Sequence, residues 1–238
     1  MNPLQSLRRL ALASSLTIGV AALALTPPAH AANDFSPAEQ ALFVDNHLSH
    51  AKPPLTLHYR YRKTGTLEAP FDDTIDVKLT ARPDGACCAA QARFFSGAHE
   101  VHQPTVESAE GNPVILYFLE RDIGEMERLT KGKASYFSKR IRMAIYQGAQ
   151  IRTVAMPFGT REVSVREIAV SPYLDDPNRS RFDKLAAKRY VFMLSSDVPG
   201  GLYGIHTRID GDSSDAPPLM DEELLLDPAA SAPAKGKP

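Results

Sequence analysis

The chain has 238 residues, of which 43% are hydrophobic, so it contains enough apolar material for one substantial core. Its formal net charge is −1, and it contains no tryptophan. A charge this close to zero lacks the strong basic surface of nucleic-acid-binding proteins, so we expect no nucleic-acid partner.

The first 31 residues have the pattern of an export signal. Two arginines precede an apolar run over residues 10–25, and a pair of prolines ends that run. Ala29-His30-Ala31 then supplies the small-x-small pattern that signal peptidase recognises, which predicts cleavage between Ala31 and Ala32. No cysteine follows for a lipid anchor, and no later stretch reaches the roughly 20 apolar residues of a membrane span. We expect a periplasmic or secreted protein, in a compartment without the ATP or nicotinamide that a kinase or dehydrogenase needs.

The start of the mature chain predicts one helix followed by three strands. Ser36, Pro37 and Glu39 form a capping pattern, and the helix is expected to run to about His50. Apolar and polar residues then alternate over 55–62 and again over 74–81, as in strands with one buried face. A third strand is expected from about Ala86 to Phe95.

Helical spacing replaces the alternation after Asn112, which is a good N-cap. The first predicted helix starts at Pro113 and ends at Gly132. The second runs from Lys133 to about Tyr146. Because the first helix is acidic on its polar face and the second is basic, we expect a complementary helical hairpin.

The remaining chain returns to strands over 151–156, 160–170, 188–196 and 202–209. From Asp210 the composition shifts to Asp, Ser, Ala, Pro and Lys, which predicts a disordered tail over 212–238 with a brief helix at Leu219–Leu226. We therefore expect one domain over 32–211. Its fold class is α+β, with a curved, mainly antiparallel sheet of about seven strands and helices packed on one face in a half-barrel-like arrangement.

The helical hairpin is the first candidate for ligand binding. The first helix is apolar nearly all round at its start, which a helix covered on one side only does not require. The third strand opposes it with small side chains, so the interface is either closely packed or holds a cavity. The candidate ligand-binding residues are Ile115, Leu116, Leu119, Phe137, Cys88, Ala90 and Ala92.

Adjacent cysteines give a second candidate site. A bond between Cys87 and Cys88 would join neighbouring residues, so the favoured interpretation is one buried residue and one exposed thiol. The alternative is a metal or thiol-redox site built from both cysteines with His99 and His102. The His-Glu-Val-His segment at 99–102 is one residue too short for the zinc-binding HExxH motif.

Catalytic motifs are scarce in this sequence. It contains no Gly-x-Ser-x-Gly segment, and nothing nominates a histidine or aspartate to pair with Ser195 or Ser196. His47 and His50 share a helix face, but two histidines alone do not make a metal site. An enzyme with an unrecognised site would show a polar cleft where His, Asp and Arg side chains converge.

In element order, compartment and size, residues 36–210 resemble the lipoprotein-carrier family of the bacterial periplasm. The resemblance implies a half-barrel sheet plugged by helices that holds acyl chains, but it carries no binding residue over to this chain. The stretches GNPVILYFLERDI and KRYVFMLSSDVPGGLYGIHTRI also resemble uncharacterised exported bacterial proteins.

The leading hypothesis is a non-enzymatic periplasmic protein. We expect it to bind an apolar small molecule, a lipid or an envelope protein between the sheet and the helical hairpin. The alternatives are a metal-binding or thiol-redox protein and an envelope enzyme. No cofactor is indicated by the sequence.

Overall fold

The computed structural model describes residues 35–213 and 215–231, without the side chain of His102. The predicted signal segment, its cleavage site at Ala31 and Ala32, and residues 232–238 lie outside the described residues. In the part of the chain that is described, no helix is long and apolar enough to cross a membrane.

Within the described residues, nine antiparallel strands form one open sheet. Their order across the sheet is β4-β3-β2-β1-β9-β8-β7-β6-β5. The predicted α+β class with an antiparallel sheet is confirmed, with nine strands rather than about seven. The strands are β1 Leu55–Thr64, β2 Phe71–Ala81, β3 Cys87–Phe94, β4 Val101–His102, β5 Gln150–Phe158, β6 Arg161–Val170, β7 Arg189–Leu194, β8 Leu202–Ile209 and β9 Met220–Leu226.

The sheet curls strongly at its β5 edge. The Tyr203 hydroxyl of β8 donates a hydrogen bond to the Pro157 carbonyl of β5 at 2.8 Å, although two strands lie between them. In a flat sheet these strands would be about 14 Å apart. A Cβ atom on Gly159, at the β5–β6 turn, would also lie only 3.7 Å from Pro228, just after β9. This curvature gives the half-barrel-like shape expected from the sequence.

The N-terminal helix begins as predicted but ends early. It consists of α1, Pro37–Glu39, and a π-helical turn, Gln40–Val44. The Ser36 hydroxyl accepts a hydrogen bond from the Glu39 amide at 3.2 Å, and the Glu39 carboxylate accepts one from the Ser36 amide at 2.9 Å. The helix does not reach His50 because the next segment bonds elsewhere: the Leu48 amide donates to the Glu110 carbonyl at 3.1 Å.

Two longer helices form the predicted hairpin, α2 at Pro113–Thr130 and α3 at Ala134–Gly148. Asn112 caps α2 through its side chain, as expected. The left-handed residue that ends α2 is Lys131 (φ 58°) rather than Gly132. Gly132 is needed for close packing instead, because a Cβ atom there would lie 2.7 Å from the Phe137 ring.

The predicted disordered tail is wrong over 220–226, and so is the predicted helix there. These residues form β9, which lies between β1 and β8 in the middle of the sheet. Met220, Glu222, Leu224 and Leu226 are buried, so the alternation of a strand is present. Acidic residues within it obscured the pattern, and one of its two partners, β1, lies far away in sequence.

Shortening a buried side chain of β9 tests its central position. Leu224 is fully buried, whereas its neighbour Leu225 is half-buried on the other face. We expect Leu224→Ala to lower the free energy of unfolding by about 2–5 kcal/mol because it leaves a cavity in the core. The matched variant Leu225→Ala should cost clearly less, as measured by urea denaturation. If neither substitution changed the free energy of unfolding, residues 220–226 would behave as a tail, and the central position of β9 would be contradicted.

Candidate functional site

A cleft of about 860 Å³ opens where the segment after the π-helical turn meets β5, β6 and the β7–β8 turn. This volume is in the range of small-molecule sites, about 300–1,000 Å³. The cleft walls come from residues 45–55, 153–166 and 194–201, together with Ser231. The sequence analysis did not predict this site.

Close packing holds the β7–β8 turn in place. The Ser195 amide donates a hydrogen bond to the Gly201 carbonyl at 2.9 Å, and the Asn112 side chain donates to the Gly200 carbonyl at 2.8 Å. Gly200 and Gly201 have φ values of 74° and 71°, where other residues are strained. A Cβ atom on Gly201 would also lie 2.9 Å from the Cβ of His47. This wall of the cleft is therefore preformed.

His47 has a structural role at the cleft wall. Its Nδ1 atom accepts a hydrogen bond from the Asn112 amide at 3.0 Å, so its Nε2 atom is the one that donates to the Ala41 carbonyl at 2.7 Å. Burial lowers the pKa of His47, although the hydrogen bond to Ala41 opposes this effect. With both ring nitrogens engaged, His47 links the π-helical turn to α2 and offers no free atom to a substrate or metal ion.

Positive charge predominates in the cleft. Asp45 is paired with Arg166, with 3.3 Å between Oδ2 and Nη2. The Asp197 carboxylate accepts a hydrogen bond from the Ser164 backbone N–H of β6 at 3.2 Å. The backbone carbonyl of Asp197 accepts a hydrogen bond from Arg161. Lys52 is exposed and forms no ion pair within the described chain. The two acids are therefore engaged, while one ammonium group remains available.

Hydroxyl groups supply most of the other polar atoms. Six serine and threonine side chains line the cleft, and four of these hydroxyls have no hydrogen-bond partner among the residues that the structure describes. Those four belong to Ser49, Thr153, Ser164 and Ser196. Apolar lining comes from residues such as Leu55, Leu194 and Val198. This arrangement can bind a negatively charged group and pack an apolar portion beside it.

Six of the seven predicted ligand-binding residues lie in the core. Leu116 is 54% exposed, whereas the other six are buried and belong to one hydrophobic cluster. None of them lines the cleft. The small side chains of β3 therefore allow close helix packing, shown by the Phe94 and Tyr117 rings, whose centroids are 5.5 Å apart. The six buried residues are Ile115, Leu119, Phe137, Cys88, Ala90 and Ala92.

The predicted exposed thiol is wrong, because Cys87 and Cys88 form a disulfide bond with each other. They begin β3, whereas His99 follows its other end, on the order of 20 Å away along the strand. The His99 ring instead contacts the Phe71 ring, with centroids 5.1 Å apart. The described atoms therefore do not assemble this predicted metal site, and the side chain of His102 lies outside them.

A buried charge network lies where α2 meets the centre of the sheet. The Glu222 carboxylate of β9 accepts hydrogen bonds from the Tyr61 hydroxyl at 2.7 Å and the Thr207 hydroxyl at 2.9 Å. Arg121 of α2 donates to the same carboxylate at 3.2 Å, and Lys188 lies 3.8 Å away. One acidic side chain thus connects β1, β8 and α2.

Asp122, Glu125 and Glu222 place carboxylate oxygens within 4.8 Å of one another, a spacing that suits a metal ion. The ammonium groups of two lysines already lie next to these carboxylates. Lys188 donates to Asp122 and Lys63 donates to Glu125, while both lie within 3.8 Å of Glu222. The cluster is thus neutralised by the chain's own cations, and we interpret it as structural.

The network shifts the titration of its acids in opposite directions. Burial alone would raise the pKa of Glu222, but Lys188, Arg121 and the Tyr61 hydrogen bond lower it to about 2. Burial and the charge of Glu222 raise the pKa of Glu125, despite the opposing effects of Lys188 and Lys63. The folded protein therefore favours the ionised form of Glu222.

Comparisons with known proteins give only a distant similarity. No family model and no curated protein matches this chain. Among solved structures, the Mycobacterium tuberculosis lipoprotein LppX aligns at 10% identity with a TM-score of 0.32, covering 81% of this chain and 94% of that one. A LolA superfamily protein of Nitrosomonas europaea aligns at 7% identity with a TM-score of 0.23, covering 79% and 90%. At such low TM-scores, we transfer no ligand or residue role from them.

Removing the charge of Glu222 tests the network. We expect Glu222→Gln to lower the free energy of unfolding at neutral pH by about 3–5 kcal/mol, because it leaves buried cations without their partner. The neighbouring Glu223 is exposed, so Glu223→Gln should cost no more than about 0.5 kcal/mol. Chemical denaturation measures both values, and equal effects would contradict the role of Glu222.

The lowered pKa of Glu222 predicts that the free energy of unfolding depends on pH in the acidic range. Because its pKa falls from 4.5 to about 2 on folding, its stabilisation is present above pH 4.5 and is lost as the pH falls towards 2. This part of the acid dependence should be absent from Glu222→Gln.

Proposed function

We propose that this chain is an exported, non-enzymatic binding protein that holds an organic anion in the cleft beside the β7–β8 turn. The observation that carries this proposal is the combination of an unpaired Lys52 with unpartnered hydroxyls in a preformed cleft of about 860 Å³. Lone polar groups in a cavity of this size provide hydrogen bonds that a ligand can complete.

The lining favours an anion with an apolar portion. Lys52 supplies the positive charge, and the Ser49 and Ser196 hydroxyls can donate hydrogen bonds to a carboxylate or phosphate. Leu55 and Val198 offer apolar contacts in the same cleft. The cleft can thus accommodate an apolar chain without displacing the packed helical hairpin. The sequence analysis had predicted that the ligand binds between this hairpin and the sheet.

Binding is better supported than catalysis. The cleft contains the His, Asp and Arg side chains expected of an envelope enzyme, but they are not arranged as a catalytic set. Both ring nitrogens of His47 bond to the backbone, and Asp45 is paired with Arg166. His50 is exposed and has no hydrogen bond to a hydroxyl or carboxylate in the described regions. A nucleophile activated by a neighbouring base is not assembled there.

The periplasmic location is supported by the sequence of residues 1–31 alone. Its arginines, apolar run and Ala29-His30-Ala31 are typical of a signal peptide. The protein should therefore be purified from the periplasm, where its mass should correspond to a chain that begins at Ala32.

Calorimetric titration with decanoate tests the cleft. We expect decanoate to bind more tightly than decanol, because only decanoate carries the charge that Lys52 can pair with. Lys52→Gln should weaken decanoate binding about fivefold, the effect of one exposed ion pair of about 1 kcal/mol. Lys78→Gln is the matched control, because Lys78 is exposed on β2 and forms no ion pair within the described chain.

A blocking variant separates the cleft from the helix–sheet interface. Ser196 is exposed at the cleft, so Ser196→Phe should obstruct part of it and weaken decanoate binding while the thermal unfolding midpoint stays near that of the wild type. An unchanged affinity for decanoate in this variant would contradict binding in the cleft. Equal affinities for decanol and decanoate would contradict an anionic ligand.

A further inference from the structure

One segment of the chain carries only positive charges. Between Glu127 and Glu162 the sequence has eight lysines and arginines and no acidic residue. The net charge of the whole chain is only −1, so this segment is a marked local asymmetry. It includes the connection between α2 and α3, the whole of α3, and β5.

Five of these eight cations lack an acidic partner among the described residues. Arg128, Arg140 and Arg152 form ion pairs, and Arg161 donates to a backbone carbonyl. The other four are exposed and form no ion pair with any described residue. They are Lys131, Lys133, Lys139 and Arg142.

The expected pairing between the acidic and basic helices is therefore absent among the described contacts. In α3, Phe137, Ile141 and Ile145 are buried against the rest of the protein. Lys139 and Arg142 lie on the opposite, exposed side, three residues apart and thus adjacent on the helix surface. The basic side of α3 faces solvent and is available to another molecule.

Exposed apolar side chains lie at the C-terminal end of this basic side. Tyr146 follows Arg142 by one helical turn and is 48% exposed. Phe35 is 52% exposed, and its neighbour Ser36 donates a hydrogen bond to the Ile145 carbonyl at 3.4 Å, which places Phe35 near the same end. We define the α3 face as Lys131, Lys133, Lys139, Arg142, Tyr146 and Phe35.

We propose that the α3 face docks on a membrane surface that contains anionic phospholipids. Its lysines and arginine can pair with lipid phosphates, and Tyr146 and Phe35 can enter the boundary between headgroups and acyl chains, where aromatic side chains are favoured. The combination of unpaired cations and exposed aromatic rings favours a lipid surface over an acidic protein. The α3 face shares no residue with the cleft lining, so this inference does not depend on the proposed function.

Vesicle sedimentation tests the α3 face in the chain purified from the periplasm. Vesicles of equal parts phosphatidylglycerol and phosphatidylcholine should bind the protein at low salt, whereas pure phosphatidylcholine should not. Lys139→Glu with Arg142→Glu should weaken binding by at least about 20-fold, because each basic residue near an anionic surface contributes about fivefold. Tyr146→Ser should also weaken binding, which a purely electrostatic contact would not require.

A charge-matched double variant provides the control. Lys78→Glu with Arg62→Glu changes the net charge equally, but these residues lie on the sheet face away from the helices. It should keep its vesicle binding. The neutralising pair Lys131→Gln and Lys133→Gln provides a second test, in the connection before α3, and should weaken binding without altering the helix.

Three outcomes would overturn the proposal. The first is no binding of the wild type to anionic vesicles. The second is an equal loss of binding in the α3 and control double variants. The third is binding of polyglutamate without binding of anionic vesicles, which would assign the α3 face to an acidic protein instead.

Discussion

The buried carboxylate of Glu222 is the interaction on which the rest of the structure depends. It lies on the central strand β9 and is bonded by Tyr61 of β1, Thr207 of β8 and Arg121 of α2. A buried charge without its partners costs several kcal/mol, so the two halves of the sheet and the helical hairpin must assemble together. The same network secures α2 against the sheet, and the ligand site that we propose lies outside that interface.

Sequence patterns predicted the elements whose signals are local. The capping box at Ser36 and the alternation of Leu57, Tyr59 and Tyr61 needed no distant partner. β9 was missed because it is acidic and because one of its two partners, β1, lies far away in sequence. One signal was available: Lys63 and Glu222 occupy positions where the alternation calls for an apolar residue. Charges at such positions indicate a buried network rather than a solvated face.

The candidate site could not be predicted from local sequence patterns, because tertiary structure brings its residues together. The predicted residues Ile115, Leu119 and Phe137 do meet, but as packed core, since small side chains of β3 let α2 approach closely. The cleft joins segments around positions 50, 160 and 197, which only the curled sheet brings together. The strands on either side of residues 197–201 were predicted locally, whereas the contact of this turn with His47 depends on tertiary structure. Lys52 carries no sequence signal that separates it from any other exposed lysine.

The central claim is that a ligand binds in the cleft while the helix–sheet interface stays closed. Chemical-shift mapping of the isotope-labelled protein during titration with decanoate tests it most directly. The account predicts amide shifts at Lys52, Ser164 and Ser196, with Ile115 and Phe137 unchanged. Shifts concentrated at Ile115 and Phe137, with the cleft residues unchanged, would contradict it.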